Sequence, residues 1–281
     1  MSNAPSLPYI NYPETDGLPM SESDATRDYL LYCVSVLENY FQSRRGVYVS
    51  GNLFIYYQEG DSKKVISPDV FVVFGVNQRK RKSYKTWQEG DRVPQFILEV
   101  TSYSTRKQDE ITKPELYARL GVQEYFQYDP TGDYLTPQLK GRRLVDGVYQ
   151  PMEMTPNWLG LTSIYSSTLG LDLCLEAPNL LASLAPAALN LRLYDPLTCE
   201  KLLSYPELAQ ARQDAQQEFL VERQNVEVER QKAETERQKA ETERQKAETE
   251  RQKAETERQK ANRLAEKLRS LGIDPDMEDF S

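Results

Sequence analysis

The stretch KVISPDVFVVFG (residues 64–75), read together with PQFILEVTS (residues 94–102), decides the fold. Each is a short apolar run rich in β-branched residues and bounded by turn formers, the pattern of a strand buried on both faces. Each carries one carboxylate, Asp69 in the first and Glu99 in the second. A buried charge has to be paired, neutralised or bound to a metal. Two of them at the ends of neighbouring strands make a place to hold a divalent cation.

Outward from these runs the chain alternates helix and strand. A helix starts at Ser21 or Ser23, either of which can cap it, and Leu30, Val34, Leu37 and Phe41 recur at helical spacing on one face. Strands are expected from about Val47 to Tyr57, Val65 to Phe74 and Phe96 to Ser102. YARLGV then reads as a helix end with Gly121 as its cap, and EYFQYDPTGD as a strand followed by a turn. Residues 134–200 hold short strand-like pieces. The order predicts a mixed α/β domain with a β-rich extension. The domain boundaries are an irregular arm over 1–20, the α/β domain over 21–205, a long charged helix over 206–271 and an acidic tail over 272–281.

The charged helix repeats AETERQK from Ala233 to Lys260 after a degenerate copy, VEVERQK. A seven-residue period invites a coiled coil, but only Ala alternates with Glu or Arg at the seam, and no apolar stripe exists to bury. Pairs such as Glu234–Arg237 and Lys232–Glu236 fall at the spacing that supports a solvated, ion-paired single helix. A weak oligomerisation coil is the other reading. Such a helix spans about 100 Å.

Composition removes several function classes. The 281 residues include no histidine, so histidine-based triads, histidine-ligated zinc and histidine-dependent phosphohydrolase sites are excluded. What remains is hard-cation, all-oxygen chemistry, which suits magnesium. The net charge of −8 weighs against non-specific binding through many phosphates. Cys33, Cys174 and Cys199 show no ligand spacing, and no apolar run has signal or membrane length, so a cytoplasmic protein with reduced thiols and no membrane partner is expected.

SPDVFVVFG, FILEVTSYST and DEITKPELYARLGVQEYFQYDP together resemble the Uma2 family of cyanobacterial restriction-endonuclease-type proteins, within the PD-(D/E)xK nuclease superfamily. The resemblance covers about residues 10–200. It implies an α-β-β-β-α-β core with a mixed central sheet, a Mg2+ or Mn2+ cofactor and DNA as substrate. It also implies a homodimer, because duplex cleavage in that superfamily uses two active sites. Asp69 and Glu99 match the metal-holding acidic positions, the Val100 carbonyl a further ligand, and Glu22 an acidic position in the first helix. The lysine of the ExK motif is replaced by Thr101. Lys113 is expected to substitute for it, with Lys107 second, as the cation beside the reacting phosphate. Asp109, Lys113 and Tyr117 are spaced by four, but Pro114 is expected to start the helix and break that shared face. Tyr117 reads as a packing residue.

Arg79, Lys80, Arg81, Lys82 and Lys85, with Tyr84 and Trp87 close by, form the one notable basic run and are the expected nucleic-acid contacts. The function expected is magnesium-dependent endonucleolytic hydrolysis of DNA. Its rival is an inactive nuclease-like module that binds nucleic acid or protein, with the helix as spacer or scaffold.

Overall fold

The protein is described here by a computed structural model covering residues 10–13, 23–177 and 188–271. The chain divides into two units, Met1–Ala209 and Gln210–Ser281.

In the first unit helix α1 (Asp24–Tyr40) precedes β1 (Val47–Ser50), β2 (Ile55–Tyr56), β3 (Val65–Ile66), β4 (Val70–Phe74), β5 (Tyr84–Lys85) and β6 (Phe96–Val100). Helix α2 (Lys113–Leu120) leads to β7 (Glu124–Tyr128), β8 (Leu139–Val145) and β9 (Val148–Pro151). The chain continues through β10 (Thr155–Pro156), β11 (Thr162–Ser166), β12 (Leu171–Glu176), β13 (Asn190–Asp195) and β14 (Glu200–Lys201). The main sheet runs β1-β4-β6-β7-β8-β9, a second runs β10 to β14 in chain order, and β3-β2-β5 form a small third. Only β6 and β7 are parallel in the main sheet, and α2 is the crossover between them. Read along α1, β1, β4, β6, α2 and β7, the core is α-β-β-β-α-β, the expected mixed α/β architecture.

Ser23 caps α1, its hydroxyl accepting the Thr26 N–H at 3.2 Å. Side chains alternate across the sheet, so each strand feeds two cores. Val70, Val72, Phe96, Leu98, Phe126 and Tyr128 pack with Cys33, Val36 and Leu37 of α1 and with Leu171, Leu173 and Leu193 of the second sheet. Phe71, Val73, Ile97 and Tyr125 point the other way and pack with Tyr117 and Val122. Each such fully buried side chain contributes about 1.5–3 kcal/mol. Glu124 ties the sheets together: it accepts from Ser166 Oγ and the Ser167 N–H and is ion-paired with Arg143 at 2.9 Å.

Two expected strands are interrupted, and the interruptions shape the site. The run from Val47 stops at Ser50 and resumes at Ile55, with Asn52 at φ +48°. The run from Val65 breaks over Ser67–Asp69, where Pro68 has no N–H for a ladder bond. The two breaks face each other: the Asn52 N–H donates to the Pro68 carbonyl at 3.0 Å, and Gly51 lies against Asp69. A Cβ on Gly51 would stand 2.2 Å from the Asp69 carbonyl oxygen and 2.9 Å from Val34 Cγ2. Gly51→Ala is therefore expected to destabilise the fold by about 1–3 kcal/mol. Urea unfolding measures this, and an unchanged midpoint would refute the close approach.

Helix α3 (Tyr205–Ser270) opens with a capping box, the Ser204 N–H donating to Glu207 Oε2 at 2.8 Å and the Glu207 N–H to Ser204 Oγ at 3.4 Å. It begins one residue before Pro206 and buries no side chain. Among the described residues the expected ion pairs of the repeat are not closed within 4.0 Å. Exposed pairs of this kind return little net energy, because holding two long side chains in one geometry offsets most of the Coulomb gain. Thr235, Thr242, Thr249 and Thr256 instead bond the carbonyl four residues back, the first at 2.8 Å.

Candidate active site

Asp69 immediately precedes β4 and Glu99 is the fourth residue of β6. Register pairs Val70 with Leu98, so Asp69 and Glu99 emerge side by side on the sheet face that α2 covers. The Asp69 N–H donates to Glu99 Oε2 at 3.3 Å, and Asp69 Oδ2 accepts the Val100 N–H at 2.8 Å. Glu99 is fully buried.

Opposite them the chain leaves β6 through Thr101–Thr105 and enters a π-helical turn over Gln108–Thr112 that runs into α2. The Lys113 N–H bonds to the Gln108 carbonyl across that turn. The wide turn corrects the expectation about Pro114. Proline sits in the first turn of α2, where no N–H is needed, while the π turn keeps the preceding residues helical. Asp109, Lys113 and Tyr117 consequently share one face. Lys113 Nζ lies 2.7 Å from Asp109 Oδ1 and 3.0 Å from Glu99 Oε2. The Tyr117 hydroxyl donates to Glu99 Oε1 at 2.6 Å, so Tyr117 fixes the carboxylate as well as packing. Asp109 is fully buried, its Oδ2 has no hydrogen-bond partner among the described residues, and its carbonyl accepts from the Tyr125 hydroxyl at 2.6 Å.

The electrostatics follow from crowding and burial. Burial pushes the Asp69 carboxyl well above the usual range, and the neighbouring Glu99 charge adds to it, while Lys113 opposes. Burial also raises Glu99, only partly offset by Lys113. Burial disfavours the Lys113 ammonium, yet Glu99 and Asp109 outweigh that and hold its pKa above the ordinary lysine value. Lys113 is thus held as a cation. Two raised carboxylates side by side describe a site short of positive charge. With oxygen donors only, Asp69 and Glu99 fit a hard divalent cation. Among the described residues no group of three or more acidic, cysteine or histidine side chains gathers, so further ligands would come from main chain, water or substrate.

Asp69 opens into a cleft of about 430 Å³. Val100, Thr101 and Ser102 form its wall, and Tyr103 and Tyr134 reach it from two loops. Asp129, buried at the end of β7, accepts from the Thr131, Tyr134 and Leu135 N–H groups and so fixes the second loop.

The structure brings Asp69, Glu99, Val100 and Lys113 together; Val100 does so through its N–H. Lys107 is exposed, and Glu22 lies outside the described residues. In the basic run, Arg79 and Arg81 are ion-paired with Glu89 at 2.7 and 2.9 Å, and Arg81, with a side chain only 4% exposed, lies over the Tyr48 ring. Lys85 lies over the Tyr12 ring, while Lys80 and Lys82 are exposed. Part of that charge is therefore spent inside the fold. Tyr117, expected only to pack, also joins the site, and its spacing of four from Lys113 is the signal in the sequence. A salt bridge to Asp109 is the plain reading of Lys113 from its spacing, and the structure forms it together with the contact to Glu99.

The sequence model of the Uma2 family, described as "Putative restriction endonuclease", matches residues 18–173, more than half of the chain. Among solved structures the chain is similar to "a putative nuclease belonging to DUF820 from Anabaena variabilis ATCC 29413", at 17% identity and a TM-score of 0.36, over 49% of this chain and 74% of that one. No curated protein matches. No helix among the described residues is long and apolar enough to cross a membrane.

Proposed function

The chain belongs to the Uma2 family, and on that premise we propose that it is a magnesium- or manganese-dependent nuclease that hydrolyses phosphodiester bonds in DNA. The single observation that carries the reading is the buried meeting of Asp69, which lines a cleft, with Glu99 from the adjoining strand, against one lysine.

Asp69 and Glu99 would hold the cation, with the Val100 carbonyl as a candidate third donor. Bound there, such an ion supplies charge neutralisation at the phosphate and a more acidic water. Lys113 is kept protonated by Glu99 and Asp109, so its work is electrostatic: it offsets negative charge that builds on phosphoryl oxygen. Tyr117 and the Val100 N–H keep the two carboxylates from rotating away. In the net reaction a water oxygen bonds to phosphorus, one ester P–O bond breaks, and the water protons pass to the leaving oxygen and to solvent.

The test couples two measurements on the wild-type chain. Calorimetric titration with magnesium or manganese is expected to show one binding event, and DNA incubated with either ion is expected to be cleaved and to be spared when a chelator is added. Cleavage that survives chelation would overturn the metal-dependent reading. Binding without cleavage would favour the second reading, a nucleic-acid-binding module that has lost catalysis, for which Thr101 at the ExK lysine position speaks.

A further inference from the structure

We propose that the cleft beside Asp69 seats an unpaired nucleobase against Tyr103, so that the nucleic acid engaged is single-stranded or frayed and not intact duplex. The proposal rests on the nuclease reading for what happens next to the base; the stacking platform itself stands on different residues.

Tyr103 is 68% exposed at the rim of the cleft. An exposed tyrosine alone is ordinary. This one belongs to a built cluster. Its ring lies 5.9 Å from that of Tyr134 at 63°, an edge arrangement. The Arg106 guanidinium sits 4.5 Å from the Tyr103 centroid and 5.8 Å from that of Tyr134. Among the described residues Arg106 has no carboxylate partner, so its charge remains available to a phosphate. Both loops are held: Thr105 Oγ1 accepts the Ser102 N–H at 3.1 Å, and Asp129 Oδ2 accepts the Tyr134 N–H at 2.6 Å. Thr101, 1% exposed, lines the same cleft, and among the described residues its hydroxyl oxygen has no hydrogen-bond partner. A buried hydroxyl left unpaired in a ligand-sized cleft is a group waiting for an acceptor or donor from a ligand.

Charge decides between single strand and duplex. Duplex affinity comes chiefly from many phosphate neutralisations. This chain carries −8, and its basic loop spends Arg79 and Arg81 on Glu89. Stacking needs no net charge and tolerates any base, since every base has a π-face. An aromatic pair with one arginine suits an unpaired nucleotide, and a base inside a duplex stack cannot reach it.

The experiment uses the full chain in calcium, with a 2-aminopurine-containing oligonucleotide either single-stranded or annealed to its complement. Anisotropy reports binding and 2-aminopurine quenching reports stacking. Wild type is expected to bind the single strand at least about tenfold tighter than the duplex and to quench the probe; Tyr103→Ala is expected to lose about tenfold or more in affinity. Tyr103→Phe, which keeps the ring, should retain both signals, and unchanged melting of both variants shows that they fold. Equal affinity for single strand and duplex, or Tyr103→Ala binding as wild type does, would overturn the proposal. A wild-type chain that binds and quenches but never cleaves in magnesium leaves this proposal standing and defeats the hydrolase reading. Duplex cleavage unaffected by Tyr103→Ala does the reverse.

Discussion

Asp69→Asn is expected to abolish metal-dependent cleavage while making the protein more stable at neutral pH. The activity loss follows from removing one of two carboxylates that would hold the cation. The charge stabilisation such an ion supplies is several kcal/mol, so the rate should fall by roughly a thousandfold or more. The stability gain follows from burial and from the charge of Glu99, which together hold the Asp69 carboxyl above its ordinary pKa. Where a folded-state pKa is raised, the folded chain binds more protons than the unfolded one. Its stability therefore falls as pH rises from the ordinary carboxylate value of about 4 through the folded value. Asparagine removes that penalty and keeps an oxygen for the Val100 N–H, which now bonds Asp69 Oδ2 at 2.8 Å. A gain on the order of 1 kcal/mol at pH 8, vanishing in acid, is the expected result. Thermal melts at several pH values measure it. Magnesium should stabilise wild type by about 1.4 kcal/mol at ten times its dissociation constant and leave the variant unmoved. A variant less stable than wild type at pH 8 would mean that the two carboxylates do not crowd one another.

Lys113→Met should have the largest effect on folding. Among the described residues Lys113 Nζ is the one cation within 4.0 Å of both Glu99 and Asp109, each fully buried. Removing one partner of a buried ion pair leaves uncompensated charge and costs about 3–5 kcal/mol. For a domain of this size the melting point should drop by roughly 10 °C. The sign can be checked against pH. The Lys113 pKa is raised by folding, so its contribution is fully present below the unfolded lysine value of about 10.4. The deficit of the variant should therefore persist across neutral pH and shrink in acid, as Glu99 takes up a proton. Urea midpoints at pH 5 and pH 8 give the comparison. A deficit that does not change with pH would show that Lys113 acts through packing and not through charge.

Local sequence was enough for the coarse alternation of helix and strand, a cap at Ser21 or Ser23, the αL stop at Gly121 and the buried character of the strands around Asp69 and Glu99. These are local properties: a period, a cap, a run bounded by turn formers. It also narrows the expected ligand chemistry to oxygen donors, because a chain without histidine leaves few others. The tertiary structure decided what depends on register and on departures from regular geometry. Whether Asp69 and Glu99 share a face is set by the pairing of β4 with β6, and a slip of one residue would put them on opposite sides. The π turn that carries Lys113 past Pro114 has no marker in the residue pattern, since proline alone predicts a break. The basic loop looked free because the sequence does not show Glu89 folding back onto it. Tyr103, Arg106 and Tyr134 come from two separate loops, and only the packing of β6 beside β7 brings those loops to one cleft.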